Sequence, residues 1–190
     1  CFPLYILAVA LGVMCFRDRR VRVALFSTGD EIVEPGAARP GAATYDANRY
    51  LLTGMLERLG ASVTDLGIIK DEPASLVKAI GEAARTNDLV LTSGGVSTGE
   101  ADYVRDAVEK VGKLVFWRVA IKPGKPFVFG SLAGKFLFGL PGNPVSAFVT
   151  FLLLVRPALL RWQGATETNL PAQPGVLAEP LVNRGDRRHF

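Results

Sequence analysis

Several short segments carry residues suited to holding an oxyanion and a cation side by side. Thr92-Ser93-Gly94-Gly95-Val96-Ser97-Thr98-Gly99-Glu100-Ala101-Asp102 leaves an apolar stretch and enters a loop of glycines and hydroxyls. Such a loop ahead of a helix offers backbone N–H groups and hydroxyls to a phosphate. It lacks the Gly-Lys-Ser/Thr ending of a P-loop and is not a GxGxxG turn. A glycine-rich turn needing positive φ is the plainer alternative. Lys122-Pro123-Gly124-Lys125-Pro126 and Leu140-Pro141-Gly142-Asn143-Pro144-Val145-Ser146-Ala147 add stiff, partly basic loops. The prolines hold the backbone ahead of a long apolar stretch, so that helix N–H groups point at a fixed place. Lys122 and Lys125 suit point-charge recognition of an anion, although surface lysines are ordinarily just solvated.

Carboxylates occupy the remaining loops. Ser27-Thr28-Gly29-Asp30-Glu31 follows an apolar run, and Lys70-Asp71-Glu72-Pro73 precedes a helical pattern in which Asp71 could serve simply as N-cap. Glu31, Asp71 and Asp102 on neighbouring loops would repel a phosphate unless a hard divalent ion such as Mg²⁺ lay between them. No Ser-His-Asp or Cys-His set is available, because His189 is the only histidine and Cys1 and Cys15 lie outside the loops. Metal-assisted attack on an activated phosphate is therefore preferred over covalent catalysis.

The elements that must position these loops alternate. Val21 to Phe26 reads as a buried strand, Asp46 to Leu59 as a helix, Ala61 to Ile69 as a strand, and Pro73 to Arg85 as a helix with Leu76, Val77, Ile80 and Ala84 on one face. Leu89 to Thr92 is the next strand, Asp102 to Val111 a helix, and Leu114 to Ile121 a strand. Pro126 to Phe129 and Lys135 to Phe138 form a hairpin, and Pro144 to Leu160 a long apolar helix. The pattern predicts an α/β three-layer sandwich, a mostly parallel sheet with helices on both faces. In such sheets ligands bind outside the carboxyl ends of the strands, where the loops above fall. Residues 19–164 are expected to form this domain. Residues 1–18 read as an apolar helix and strand left from a preceding domain, and 165–190 as a linker and the start of a β-rich C-terminal domain, so the chain reads as part of something longer.

Composition narrows the classes further. Hydrophobic residues make up 49% and charged residues 21% of 190, which suits a packed core and excludes disorder for most of the chain. The 22 Lys and Arg against 18 Asp and Glu give +4, interleaved without a basic stripe, so nucleic acid is not an expected partner. Two cysteines outside any CxxC spacing exclude a disulfide scaffold and a structural zinc site. Cys1 to Phe16 is uncharged but short of the roughly 20 residues that span a bilayer. A buried helix with Gly12 as C-cap is the preferred reading there, with a shortened membrane anchor as the alternative.

In order and spacing, the segments Ser27 to Glu31, Tyr45-Asp46-Ala47-Asn48-Arg49, Ser93 to Tyr103, Ile121 to Pro126 and Leu140 to Ser146 resemble the molybdopterin-binding domain of the molybdopterin molybdenumtransferase family, to which the C-terminal region of gephyrin also belongs. The resemblance implies insertion of molybdate into adenylylated molybdopterin with release of AMP, assisted by Mg²⁺, in a cytoplasmic enzyme that is a homodimer at full length. It implies that Glu31, Asp71 and Asp102 are the essential, metal-holding acids. Thr28, Gly29 and Asp30 would line the substrate site. Gly94, Gly95, Ser97 and Thr98 would hold the pterin phosphate and Lys122 the molybdate, with Ser93 and Lys125 also among the substrate-binding residues. Pro141, Gly142, Asn143, Pro144 and Ser146 complete the substrate site, with the two prolines functional. Three rivals stand beside this expectation. They are a molybdopterin adenylyltransferase on the same fold, a non-catalytic interaction module like that of gephyrin, and a pterin or nucleotide sensor. The Gly-Gly-Val-Ser and Pro-Gly-Asn-Pro segments favour the metal-inserting branch, and intact carboxylates argue against a lapsed site.

Overall fold

Alternate side chains of the strand Arg22–Thr28 enter two different cores, because successive residues of a strand point to opposite faces. Val23 and Leu25 lie in one, Ala24 and Phe26 in the other. A strand apolar on both faces requires cover on both sides. The computed structural model describes residues 20–96, 103–176, 178–180, 182, 183 and 185–190. Its strands and helices, in chain order, are β1 (Arg22–Thr28), β2 (Ile32–Val33), β3 (Thr44–Tyr45), α1 (Asn48–Arg58), β4 (Ser62–Ile69), α2 (Pro73–Thr86), β5 (Leu89–Ser93), α3 (Tyr103–Val111), β6 (Lys113–Arg118), β7 (Ile121–Lys122), β8 (Pro126–Leu132), β9 (Lys135–Leu140), α4 (Pro144–Thr150), α5 (Arg156–Trp162) and β10 (Arg188–His189).

Six strands form one sheet in the order β4-β1-β5-β9-β8-β6. β4, β1, β5 and β9 run parallel, β8 runs antiparallel to β9, and β6 antiparallel to β8. On one face Leu52 and Leu56 of α1 and Ala147, Ala158 and Leu159 of α4 and α5 cover Leu25, Leu91, Phe129 and Phe138. On the other, Leu76, Ile80 and Ala83 of α2 and Val104, Ala107 and Val108 of α3 cover Phe26, Val90, Val128 and Leu137. The expected three-layer α/β sandwich is what the chain forms. Phe116, Phe127, Phe129, Phe136 and Phe138 form a cluster of stacked and tilted rings on the first face, and Trp162 meets Phe136 edge-on.

Two element boundaries differ from the sequence reading. Leu114 to Ile121 is not one strand: β6 ends at Arg118, and the Val119 N–H donates to the Lys125 carbonyl at 3.1 Å, which turns the chain before β7. The apolar helix from Pro144 to Trp162 is continuous but passes through a π segment, Phe151–Val155. Pro157 lacks an N–H and its ring would press on the carbonyl one turn back, so a wider turn just upstream accommodates it. This helix is long and apolar enough to cross a membrane, but its buried stripe packs on the sheet.

After Trp162 the chain follows the surface, where Arg156 donates to the Thr168 carbonyl at 2.8 Å. The linker expected at 165–174 contains neither helix nor strand, and the described part of 176–190 contributes only β10. β10 pairs in parallel with β7, placing His189 opposite Lys122. The expected N-terminal remnant, residues 1–18, lies outside the described residues.

Candidate functional site

Parallel register brings the candidate loops to one edge of the sheet. Thr28 is paired with Ile69, Ser27 with Ser93, and Ser93 with Leu140. The carboxyl ends of four strands therefore lie in a row, and the segments following Thr28, Ile69, Ser93 and Leu140 emerge together. Because β8 is antiparallel to β9, the Lys122 to Lys125 loop that precedes β8 arrives at the same edge. α1 follows β1 on one face while α3 follows the neighbouring β5 on the other, which opens a crevice between the two loops.

Contacts at this edge are close. Gly94 has φ +87°, and a Cβ there would stand 2.1 Å from the Thr28 carbonyl oxygen. Gly95 has φ +64°, and a Cβ there would meet Thr28 and Val104 side chains at 2.6 Å. These glycines are demanded by backbone approach as well as by turn geometry. The Gly94 N–H is already spent on the Leu140 carbonyl at 3.0 Å, so it does not join the set of donors the sequence offered to a phosphate. Ser97, Thr98 and Asp102, expected in the same loop and cluster, lie outside the described residues.

Asp71 is not the N-cap of α2. Glu72 occupies that position and makes no side-chain cap bond. Asp71 instead accepts a 3.2 Å hydrogen bond from the Thr28 hydroxyl. Burial pushes its carboxyl above the ordinary range, the Thr28 bond pulls it down, and the charges of Asp30 and Glu31 push it up again. Acids from two strand ends therefore act on one another. Among the described residues no three acidic, histidine or cysteine side chains gather closely enough to enclose a metal. Hard carboxylate oxygens nonetheless suit Mg²⁺, which commonly takes one or two protein carboxylates and completes its shell with water and substrate phosphate.

The Pro-Gly-Asn-Pro loop is fixed by its own side chains. Asn143 accepts from the Ser146 N–H at 3.1 Å and from its hydroxyl at 3.3 Å, capping α4 with Pro144 in the first turn. Part of the donor set expected of this helix start is thus satisfied internally. Lys122 and Lys125 are exposed and have no ion-pair partner among the described residues. Their loop rests on α4, since a Cβ at Gly124 would meet Thr150 at 2.4 Å.

Two further residues of the Tyr45 to Arg49 segment, Arg49 and Asn48, stand at the site edge. Arg49, 4% exposed, is ion-paired with Glu34, Asp46 and Asp65. Burial works to lower its pKa, but the bonds to Asp46 and Glu34 and the charge of Asp65 prevail, so its charge is held firmly. This tie anchors β2 and β3, which carry the chain away from Glu31, against α1 and β4. Asn48, beside it, bonds to both Ser93 and Gly142 at 2.8 Å. The sequence signal was available: Asn48, Leu52 and Leu56 form a buried i, i+4 stripe, so Asn48 stands where an apolar residue would ordinarily be. Ser27 Oγ, Thr92 Oγ1 and Asn48 Oδ1 are buried without a partner among the described residues. All three lie at this end of the sheet, and buried polar atoms without a protein partner are the exception in folded chains.

Residues 24–161, which include every described strand of the sheet except the first residues of β1 and all the site loops, match the family described as a probable molybdopterin binding domain. The chain belongs to this family. It is 46% identical over 166 residues to a molybdopterin molybdenumtransferase of Haemophilus influenzae, covering 87% of this chain and 41% of that protein. It is 38% identical over 150 residues to a molybdopterin molybdenumtransferase of Nostoc, covering 77% of this chain and 34% of that one. A solved molybdopterin biosynthesis protein of Pyrococcus horikosii superposes with a TM-score of 0.70 at 38% identity, covering 77% of this chain and 36% of its own. The chain thus spans less than half the length of these relatives. As a molybdopterin-binding domain, it presents its strand-end loops within the matched segment, while the tail that carries β10 lies beyond it.

Proposed function

We propose that this domain is the substrate-holding part of a molybdopterin molybdenumtransferase, which inserts molybdate into adenylylated molybdopterin and releases AMP. The observation that carries the reading is the convergence of Thr28, Asp71, Gly94 and the Pro141 to Pro144 loop at one end of the sheet. In that arrangement Ser93 and the loop after it hold the terminal phosphate of the pterin, and Lys122 and Lys125 draw molybdate to the neighbouring loop. Pro141 and Pro144 hold the intervening backbone rigid, so the two anions keep a fixed separation. Glu31, Asp71 and Asp102 are the residues that would hold Mg²⁺, which supplies neutralisation of phosphate charge when bound. Water adds to a phosphorus of the phosphoanhydride linking pterin to AMP as that bond breaks, giving pterin monophosphate and AMP. The pterin thiolates displace oxygens of molybdate, which leave as water with no change of oxidation state.

The named relatives and the Pro-Gly-Asn-Pro element support this reading over transfer of AMP from ATP. A cytoplasmic location and a homodimer of the longer protein belong to the same proposal.

The test is turnover by the longer protein supplied with adenylylated molybdopterin, molybdate and Mg²⁺. One AMP released for each molybdenum inserted is expected, with the 190-residue chain alone failing to turn over repeatedly. Asp102→Ala is expected to lower the rate roughly a hundredfold or more without moving the thermal midpoint. Consumption of ATP in the presence of molybdopterin, with no AMP release from the adenylylated substrate, would instead assign the adenylyltransferase reaction.

A further inference from the structure

Asn48 is the first residue of α1 and is 6% exposed. Its Nδ2 donates to the Gly142 carbonyl and to Ser93 Oγ, each at 2.8 Å. A carbonyl can only accept, so Gly142 determines which end of the amide faces the loop. Both amide hydrogens are then engaged, one on each partner. Ser93 Oγ has accepted, and its own proton remains to be donated elsewhere.

The other end of the amide has the opposite character. Asn48 Oδ1 is buried with no partner among the described residues, and a buried unpaired acceptor is unfavourable. Packing on Leu52 and the sheet would be served better by an apolar side chain. What an asparagine adds at this position is its pair of donors, and both are directed at loops of the candidate site.

We propose that Asn48 is a positioning residue for the oxyanion site. It clamps the Pro141 to Asn143 loop to the end of β5 and, by occupying Ser93 Oγ as an acceptor, leaves the Ser93 hydroxyl to donate to the pterin phosphate. The proposal rests on the molybdopterin-binding reading and deepens it. Asn48 need not touch the ligand; it acts through Ser93 and through the carbonyl of Gly142. An aspartate there would reverse the arrangement, because a carboxylate takes the Ser93 proton for itself and offers nothing to the Gly142 carbonyl.

The experiment is anaerobic calorimetric titration of the longer protein with molybdopterin, on wild type, Asn48→Ala, Asn48→Asp, Ser93→Ala and the Asn48→Ala/Ser93→Ala double variant. Each measurement is made well below that variant's thermal midpoint. Loss of a hydrogen bond to a charged group predicts affinity weakened roughly tenfold or more in every variant. The double variant is expected to bind no more weakly than Asn48→Ala alone, because without the Asn48 amide the Ser93 hydroxyl is no longer directed at the phosphate. A purely structural Asn48 would lower the midpoint while leaving the affinity of the folded variant within about twofold of wild type, and that result overturns the proposal. Should Asn48→Ala not fold, Ser93→Ala, which deletes one hydroxyl, decides by the same twofold criterion. Wild-type protein that does not bind molybdopterin overturns the binding reading and this inference together, whereas wild type and Asn48→Ala binding alike overturns the inference alone.

Discussion

The Thr28 hydroxyl donates to the Asp71 carboxylate at 3.2 Å, joining the ends of two parallel strands across 43 residues of sequence. One bond of this kind does not offset the desolvation of the acid or the nearby charges of Asp30 and Glu31, so Asp71 holds its proton more tightly than an ordinary aspartate. The site is therefore electrostatically strained in the absence of a cation, and the strain lies where the proposed chemistry needs an acceptor of positive charge.

That strain has a sign that can be measured. A carboxyl raised on folding lends its stability fully below the unfolded value of about 3.9 and loses it as pH climbs through the folded pKa. Asp71→Asn does not titrate and can still accept from Thr28. At pH 7 without metal its thermal midpoint is expected to exceed that of wild type by about one to three degrees, and the advantage should vanish below pH 3.9. Added Mg²⁺ should raise the wild-type midpoint more than that of Asp71→Asn, which keeps only Glu31 and Asp102. Equal midpoints at pH 7 would contradict the strain.

A second expectation concerns backbone approach. Gly94→Ala adds a Cβ at 2.1 Å from a main-chain oxygen that cannot swing aside. Urea denaturation should show a loss of about 2–4 kcal/mol, combining overpacking with a left-handed φ. Gly134, at φ +82° in the β8–β9 turn, has nothing within 4 Å of its virtual Cβ. Gly134→Ala should cost only ~1 kcal/mol from the backbone term. Similar losses at the two positions would show that close packing of β1 on β5 is not what Gly94 serves.

The third expectation follows from the buried guanidinium. Arg49→Met leaves Asp46, 2% exposed, without its counter-ion and should cost ~3–5 kcal/mol in denaturant unfolding. It also frees Glu34 and Asp65, so proteolysis within residues 34–43 should accelerate more than the global loss of stability explains. Arg49→Lys should recover only part of the stability, because one ammonium cannot fork to three carboxylates. Unchanged cleavage in the Arg49→Met protein would mean that the loop after Glu31 is held by other contacts.

Local pattern carried most of the architecture. The apolar runs of β1, β5, β8 and β9 alternate between two cores as doubly covered strands must, and the glycine, proline and hydroxyl clusters do fall at strand ends. The misreadings arose where a distant partner overrides a local rule. Asp71 stands beside the usual N-cap position, yet its bond goes to Thr28 on the neighbouring strand. The sequence assigns Arg49 no role, because its burial depends on Glu34, Asp46 and Asp65 folding around it. The π segment is invisible in Phe151–Val155 because its cause, Pro157, lies downstream. The pairing of β10 with β7 depends on residues far apart in sequence, so local pattern does not reveal it.

Crystals of the longer protein soaked with molybdate, Mg²⁺ and AMP, with anomalous diffraction at the molybdenum edge, test the central claim most directly. Molybdenum density is expected beside Lys122 and Lys125, with the magnesium ion on Glu31, Asp71 or Asp102 and the AMP phosphate adjoining it. Molybdenum and magnesium bound away from the carboxyl ends of β1, β4 and β5 would contradict the account.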